Sequence, residues 1–197
     1  EDIEVRTESD QDVKPYVQEM DIDWVKVDLP PEFLEIKRLL ELSLRSKLEV
    51  VKKMGFLSGI TGVTKGDLLK LQARLHAGMT SGEKHFPLLM AVSALSEAMK
   101  VGHALELIET QGVTALYKYV ERLKEDAKAA KTKAVKRLFT DNNFLVAIEK
   151  TWQLYEKKVE HPKLDELKRI IKENVADGKG ATAIVVNQDR DSALTLQ

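Results

Sequence analysis

The chain contains no cysteine, which excludes disulfides, thiol nucleophiles and thiolate-bound metals. Aromatic residues are scarce at 6%, and only five prolines interrupt 197 residues, leaving room for long helices. Net charge is nearly absent at −1, so no global basic excess announces a nucleic acid. A local patch can still do so, because phosphates respond to nearby Lys and Arg and not to the chain's total. No apolar run approaches the length of a membrane span. Glu1-Asp2-Ile3-Glu4-Val5-Arg6 has neither a basic start nor an apolar stretch, so no signal peptide is expected. The chain opens without Met and closes within an apolar-periodic stretch at Ser192–Gln197, as expected of a segment of a longer polypeptide.

Several catalytic signatures are missing as well. No G-x-x-x-x-G-K-[ST] loop is present to cradle a triphosphate, and no D-E-x-D/H run to hold magnesium opposite it. G-x-S-x-G and H-E-x-x-H are absent. The glycines between Gly55 and Gly66 lack a preceding strand and a Lys-Thr pair, so they read as a connection. His76, His85, His103 and His161 are not three or four apart, so no two share a helix face as metal ligands. His103 and Glu106 can meet on one face, as a surface hydrogen bond or as an acid–base pair, and the first is the better reading. Glu106 and Glu109 read as a solvated face. His161 precedes Pro162 and reads as a helix start.

What is present is 43% hydrophobic residues, enough for one or two modest cores, arranged largely at helical spacing. Phe33, Ile36, Leu40, Leu44, Leu48 and Val51 line one face of a helix that opens at Pro31 and stops near Gly55. Lys37, Arg38, Glu41, Arg45 and Lys52 fall mostly elsewhere, in water. Thr64 and Asp67 resemble a capping pair opening a helix through Leu68, Leu71 and Leu75. Leu88, Val92, Leu95, Met99, Leu105 and Ile108 mark a helix from about His85 to Thr110, with Gly102 on the line where a neighbour can approach closely. Gln111-Gly112 breaks it, and Leu116, Val120 and Leu123 begin the next. Phe144, Ile148, Trp152 and Tyr155 mark another helix, and Leu164, Leu167, Ile171 and Val175 a last one. Strands are expected at residues 21–29 and, as a buried strand, at Ala181–Val186. Trp24 and Trp152 lie on apolar lines and are expected in the core.

One polar feature rises above background. Lys124, Lys128, Lys131, Lys133, Lys136 and Arg137 are spaced by alanines, with Glu125 and Asp126 as counter-charge. Lys124, Lys128 and Lys131 fall on one helical face, so several phosphates can be met together. The alternative is an ordinary solvated surface.

The order of these pieces resembles archaeal Hef-type helicases, which act on fork-structured DNA, and their relatives of the Fanconi anaemia M group. The resemblance rests on residues 3–17 (IEVRTESDQDVKPYV), Trp24–Pro30, His103–Tyr119 (HALELIETQGVTALYKY), His161–Lys168 and Ala183–Ala193. It covers nearly the whole chain and is weakest at about residues 55–85. It implies a mainly α fold: a thumb-like helical-bundle insert at 31–176, the end of a first RecA-like lobe at 1–30 and the start of a second at 177–197, each supplying a short strand. Val186 and Asp189-Arg190 stand where the family typically has a Phe and an aromatic-Arg pair. The implied function is a DNA-binding insert of an ATP-dependent superfamily 2 helicase acting on forked or branched DNA in replication-fork repair, inside the archaeal cytoplasm. The implied partners are that DNA and the flanking lobes, with no membrane. ATP and magnesium belong to the parent helicase; this segment is expected to hold no cofactor, metal or catalytic residue. The alternative is a structural spacer or protein-interaction module that orients the two lobes.

Overall fold

The computed structural model describes residues 7, 10, 11, 13, 15, 22–82, 85–129, 133–175 and 184–186, with backbone only at Lys133 and Val175. These residues form helices α1 Pro31–Lys53, α2 Lys65–Thr80, α3 Phe86–Thr110, α4 Val113–Lys128, α5 Lys133–Leu138, α6 Asn142–Glu156 and α7 Pro162–Val175. No strand occurs among them.

The helix ends follow local chemistry. Pro31 opens α1, where its missing N–H costs nothing, and Gly55 with Phe56 closes it through bonds back to Lys52 and Val51. The capping box expected at Thr64 and Asp67 is present, with the Asp67 amide donating to Thr64 Oγ1 at 3.2 Å and the Thr64 amide to Asp67 Oδ2 at 3.0 Å. Asp141 caps α6 by accepting from the amides of Asn143 and Phe144.

Four helices form a ring of antiparallel neighbours. α1 packs on α3 and α6, and α4 packs on the same two, so α1 and α4 lie diagonally opposite. α2 covers the far half of the α1–α3 pair, and α5 covers α3 and α4. Two apolar cores result. Phe33, Ile36 and Leu40 meet Val101, Ile108, Leu116, Val120 and Phe144 in one, while Leu48 and Val51 meet Leu71, Leu75, Leu88 and Leu95 in the other. Buried alanines at 91, 94, 98 and 104 keep α3 slim enough to serve both. α3 is long and apolar enough in composition to cross a membrane, unlike any run expected from the sequence. Most of its apolar residues are instead taken up by these two cores, with Phe86 and Leu89 left exposed at its start.

Some expectations change. Residues 22–30 form no strand with any other described residue, and Trp24 is 89% exposed rather than in a core. Of the expected strand at Ala181–Val186, residues 184–186 are described and carry no ladder, while 181–183 lie outside the described residues. On α6 the buried line is Phe144, Ala147, Thr151 and Leu154, because α1 as well as α4 presses on that helix. Trp152 therefore sits 43% exposed, one face further round. A side chain at Gly102 would meet nothing within 4 Å, so no helix approaches there. Gly112 is the glycine the fold needs: its φ is +90°, and a Cβ would come within 2.9 Å of His161 Cβ.

Candidate nucleic-acid interface

The six basic residues singled out between 124 and 137 are separated by the fold. Lys124 is half-buried and its Nζ lies 2.7 Å from Glu121 Oε1. Lys128 ends α4 and points into solvent, without an ion pair to any described residue. Lys131 lies outside the described residues, and so does the side chain of Lys133, which opens α5. Lys136 is exposed. Arg137 turns inward, with Nε 3.3 Å from Glu97 Oε1 and Nη1 donating to Ser93 Oγ at 3.3 Å.

That inward turn leads to a polar waist between the two apolar cores. Glu97 is only 1% exposed in the middle of α3. Lys47 of α1 lies 3.4 Å from Glu97 Oε2 and 2.9 Å from Asp141 Oδ2. Ser43 donates to the same Asp141 oxygen at 2.8 Å, while Ser93 donates to Glu97 Oε1 at 3.3 Å. Burial would push the Asp141 carboxyl up, but Lys47, Ser43 and the Phe144 amide together hold it below its ordinary value. Four elements, α1, α3, α5 and the α6 cap, are thus joined by one charge network. The sequence reading missed it. Glu97, the one charge between Ala91 and Met99, was the available signal, since a charge there must find partners.

Other polar residues have structural tasks. His161 is buried, edge-on to Phe33 with ring centroids 5.7 Å apart. Its Nδ1 accepts from the Lys163 amide at 3.2 Å and so starts α7, leaving Nε2–H to donate to the Glu109 carbonyl at 3.1 Å. Burial, with the Lys163 charge adding to it, lowers its pKa against the Glu109 bond, so the ring is neutral. His103 and Glu106 do meet, at 3.5 Å, but the carboxylate also takes Lys65 at 2.8 Å, and all three are reached by solvent. Glu109 binds Lys37 at 2.6 Å. Tyr117 and Tyr155 stack across α4 and α6 with centroids 3.9 Å apart. Among the described residues no cluster of three metal-ligating side chains occurs.

Residues 32–161 match the family of helical bundles described as those of putative ATP-dependent RNA helicases. The chain belongs to this family. It is 32% identical to a putative ATP-dependent RNA helicase of Methanocaldococcus jannaschii, over 98% of this chain but 23% of that protein. It is 24% identical to the ATP-dependent DNA helicase mph1 of Neurospora crassa, over 97% of this chain and 17% of that one. The crystal structure of the Pyrococcus furiosus Hef helicase domain superposes with a TM-score of 0.79 at 36% identity, covering 100% of this chain and 41% of that chain. The chain therefore spans about a fifth of the curated relatives it matches. It is a helical bundle of the kind found in ATP-dependent helicases, similar to the bundle within the Hef helicase domain and to segments of the proteins named as mph1 and fml1 DNA helicases.

Proposed function

We propose that this bundle is the DNA-binding insert between the two RecA-like lobes of a superfamily 2 helicase that acts on forked or branched DNA in replication-fork repair. The observation that carries the reading is the superposition of the whole chain inside a larger helicase domain. On this reading residues 1–30 close the first lobe, 31–176 form the insert, and 177–197 open the second. ATP and magnesium belong to the first lobe, and the parent works inside an archaeal cell. Relatives named as DNA helicases support DNA as the ligand, and the solvent-facing Lys128 and Lys136 support backbone contact at the α4–α5 corner. The spacer reading is favoured by a different observation: Lys124 and Arg137 spend their charge on Glu121 and Glu97.

A fluorescence-anisotropy titration of the 197-residue chain against fork, duplex, single-stranded DNA and duplex RNA, at 50 and 200 mM salt, separates these readings. Tighter binding to the fork, steeply weakened by salt, is expected. Each phosphate contact contributes about −0.9 to the log–log salt slope, so Lys128→Ala/Lys131→Ala/Lys136→Ala flattens it by up to about 2.7. Wild-type affinity and slope in that variant would move the contact away from α4–α5. Absence of DNA binding by the wild type would leave the spacer, and a preference for duplex RNA would change the ligand. DNA-stimulated ATP hydrolysis by the purified chain would contradict the assignment of the ATP site to the parent.

A further inference from the structure

The exposed side of α1 carries a row of cations. Arg38, Arg45 and Lys52 follow one another at seven-residue steps, so they drift by only about 20° per step around the helix and stay in line. All three are exposed, as is Lys53 beside them. None makes an ion pair with a described residue, in contrast to Lys37, Lys47, Lys124 and Arg137. Two carboxylates flank the row. Glu41 lies 3.9 Å from Lys37, and Glu49 stands between Arg45 and Lys53. Glu35, on the α6 side, is taken by Lys150 at 3.0 Å. A positive excess remains along the outer face.

The place of this row in the ring matters. α1 and α4 are diagonal, so the outward face of α1 points away from the bundle on the side opposite α4 and its solvent-facing Lys128. A straight duplex cannot lie on both faces at once. A branched DNA, with two duplex arms, can.

We propose that Arg38, Arg45 and Lys52 form a second phosphate-binding surface that takes one duplex arm of a branched DNA while the α4–α5 corner takes the other. This rests on the DNA-binding reading above and says how a branch would be distinguished from a linear duplex. Successive cations on the row are about 10.5 Å apart at 1.5 Å rise per residue. That is close to the roughly 12 Å width of the major groove, so neighbouring cations reach phosphates on opposite walls of one groove. Contacts of this kind hold and orient the arm without reading its sequence.

The test compares a fork with a linear duplex of equal length, by anisotropy of labelled DNA at 50 and 200 mM salt, using the 197-residue chain. Three phosphate contacts give a slope increment of about 2.7, so the fork should lose about fortyfold more affinity than the duplex across that fourfold salt change. Arg38→Ala/Arg45→Ala/Lys52→Ala should bring fork affinity and slope down to those of the duplex. Arg38→Lys/Arg45→Lys/Lys52→Arg, which keeps the charges, should restore most of the difference, and Glu49→Gln should strengthen fork binding. Unchanged helical circular dichroism and melting would show that the alanine variant is folded. If that variant keeps the wild-type fork preference while the α4–α5 variant loses binding, the α1 surface is refuted and the DNA-binding reading stands. If the wild type binds neither DNA, both are refuted together.

Discussion

Replacing Lys47 with Met tests whether the charged waist holds the two cores in register. Met keeps an unbranched stem of similar length, so packing along α1 is largely preserved and the ammonium is what disappears. Two carboxylates then lose a partner. Their side chains are only 2% and 8% exposed, for Glu97 and Asp141 respectively. Removing one member of a buried ion pair typically costs about 3–5 kcal/mol. Here Glu97 retains Arg137 and Ser93, and Asp141 retains Ser43 and two amides, so the low end, about 3 kcal/mol, is expected. With a urea m-value near 2 kcal/mol/M, that moves the unfolding midpoint down by about 1.5 M. Adding Glu97→Gln removes one of the stranded charges and should recover about 1 kcal/mol or more in a double-mutant cycle. The same substitution alters the acid limb. Asp141 is held below its ordinary value of 3.8, so its stabilisation is complete above that value and is lost as pH falls through the depressed one. Without Lys47 that loss should begin at higher pH. A midpoint shift below about 0.3 M at neutral pH would show that the waist is solvated and that the apolar cores alone set the register.

Gly112→Ala should cost about 2–4 kcal/mol, from backbone strain at positive φ together with the collision with His161, read as a lowered urea midpoint; a neutral result would mean that α4 and α7 can shift apart freely. His161 has a folded pKa depressed below 6.5, so the stability it contributes is full above about pH 6.5 and is lost as pH falls through the depressed value. His161→Gln should therefore flatten the change in urea midpoint between pH 7.5 and 5.5, and an unchanged pH dependence would assign the titration elsewhere. Thr64→Ala removes the reciprocal cap of α2 and should cost about 1 kcal/mol by the same assay; no loss would mean that the α2 start is held by core packing alone.

Much of the fold was legible because its helices bury one face each. The spacing of Phe33 through Val51, the Thr64–Asp67 pair, the break at Gly112 and the start at His161-Pro162 are local signals, and each is used as such in the structure. Errors arose where a helix is pressed from two sides. α6 lies between α1 and α4, so its buried arc is centred on Ala147 and Thr151 rather than on the larger Ile148 and Trp152. Periodicity weights large apolar residues and overlooks small ones that let helices come close. The same bias favoured Gly102 as the close-approach site, when buried alanines of α3 fill that role.

The charge pattern was harder to read, because a cation's availability depends on which acid the fold brings to it. The 124–137 stretch is dense in Lys along the chain, yet Arg137 is spent on Glu97, forty residues earlier in sequence, and Lys124 on Glu121. Arg38, Arg45 and Lys52 look diluted by intervening Leu and Glu when read linearly. Folded, they line up, because a seven-residue step nearly closes two helical turns, while Glu35 is taken by Lys150 and only Glu41 and Glu49 remain beside the row. A net charge of −1 therefore says little about either surface. If phosphate contact follows unpaired, aligned cations rather than local Lys density, loss of the α1 row should cost the fork more affinity than loss of Lys128 and Lys136 together, since three aligned contacts carry a larger salt-dependent contribution than two.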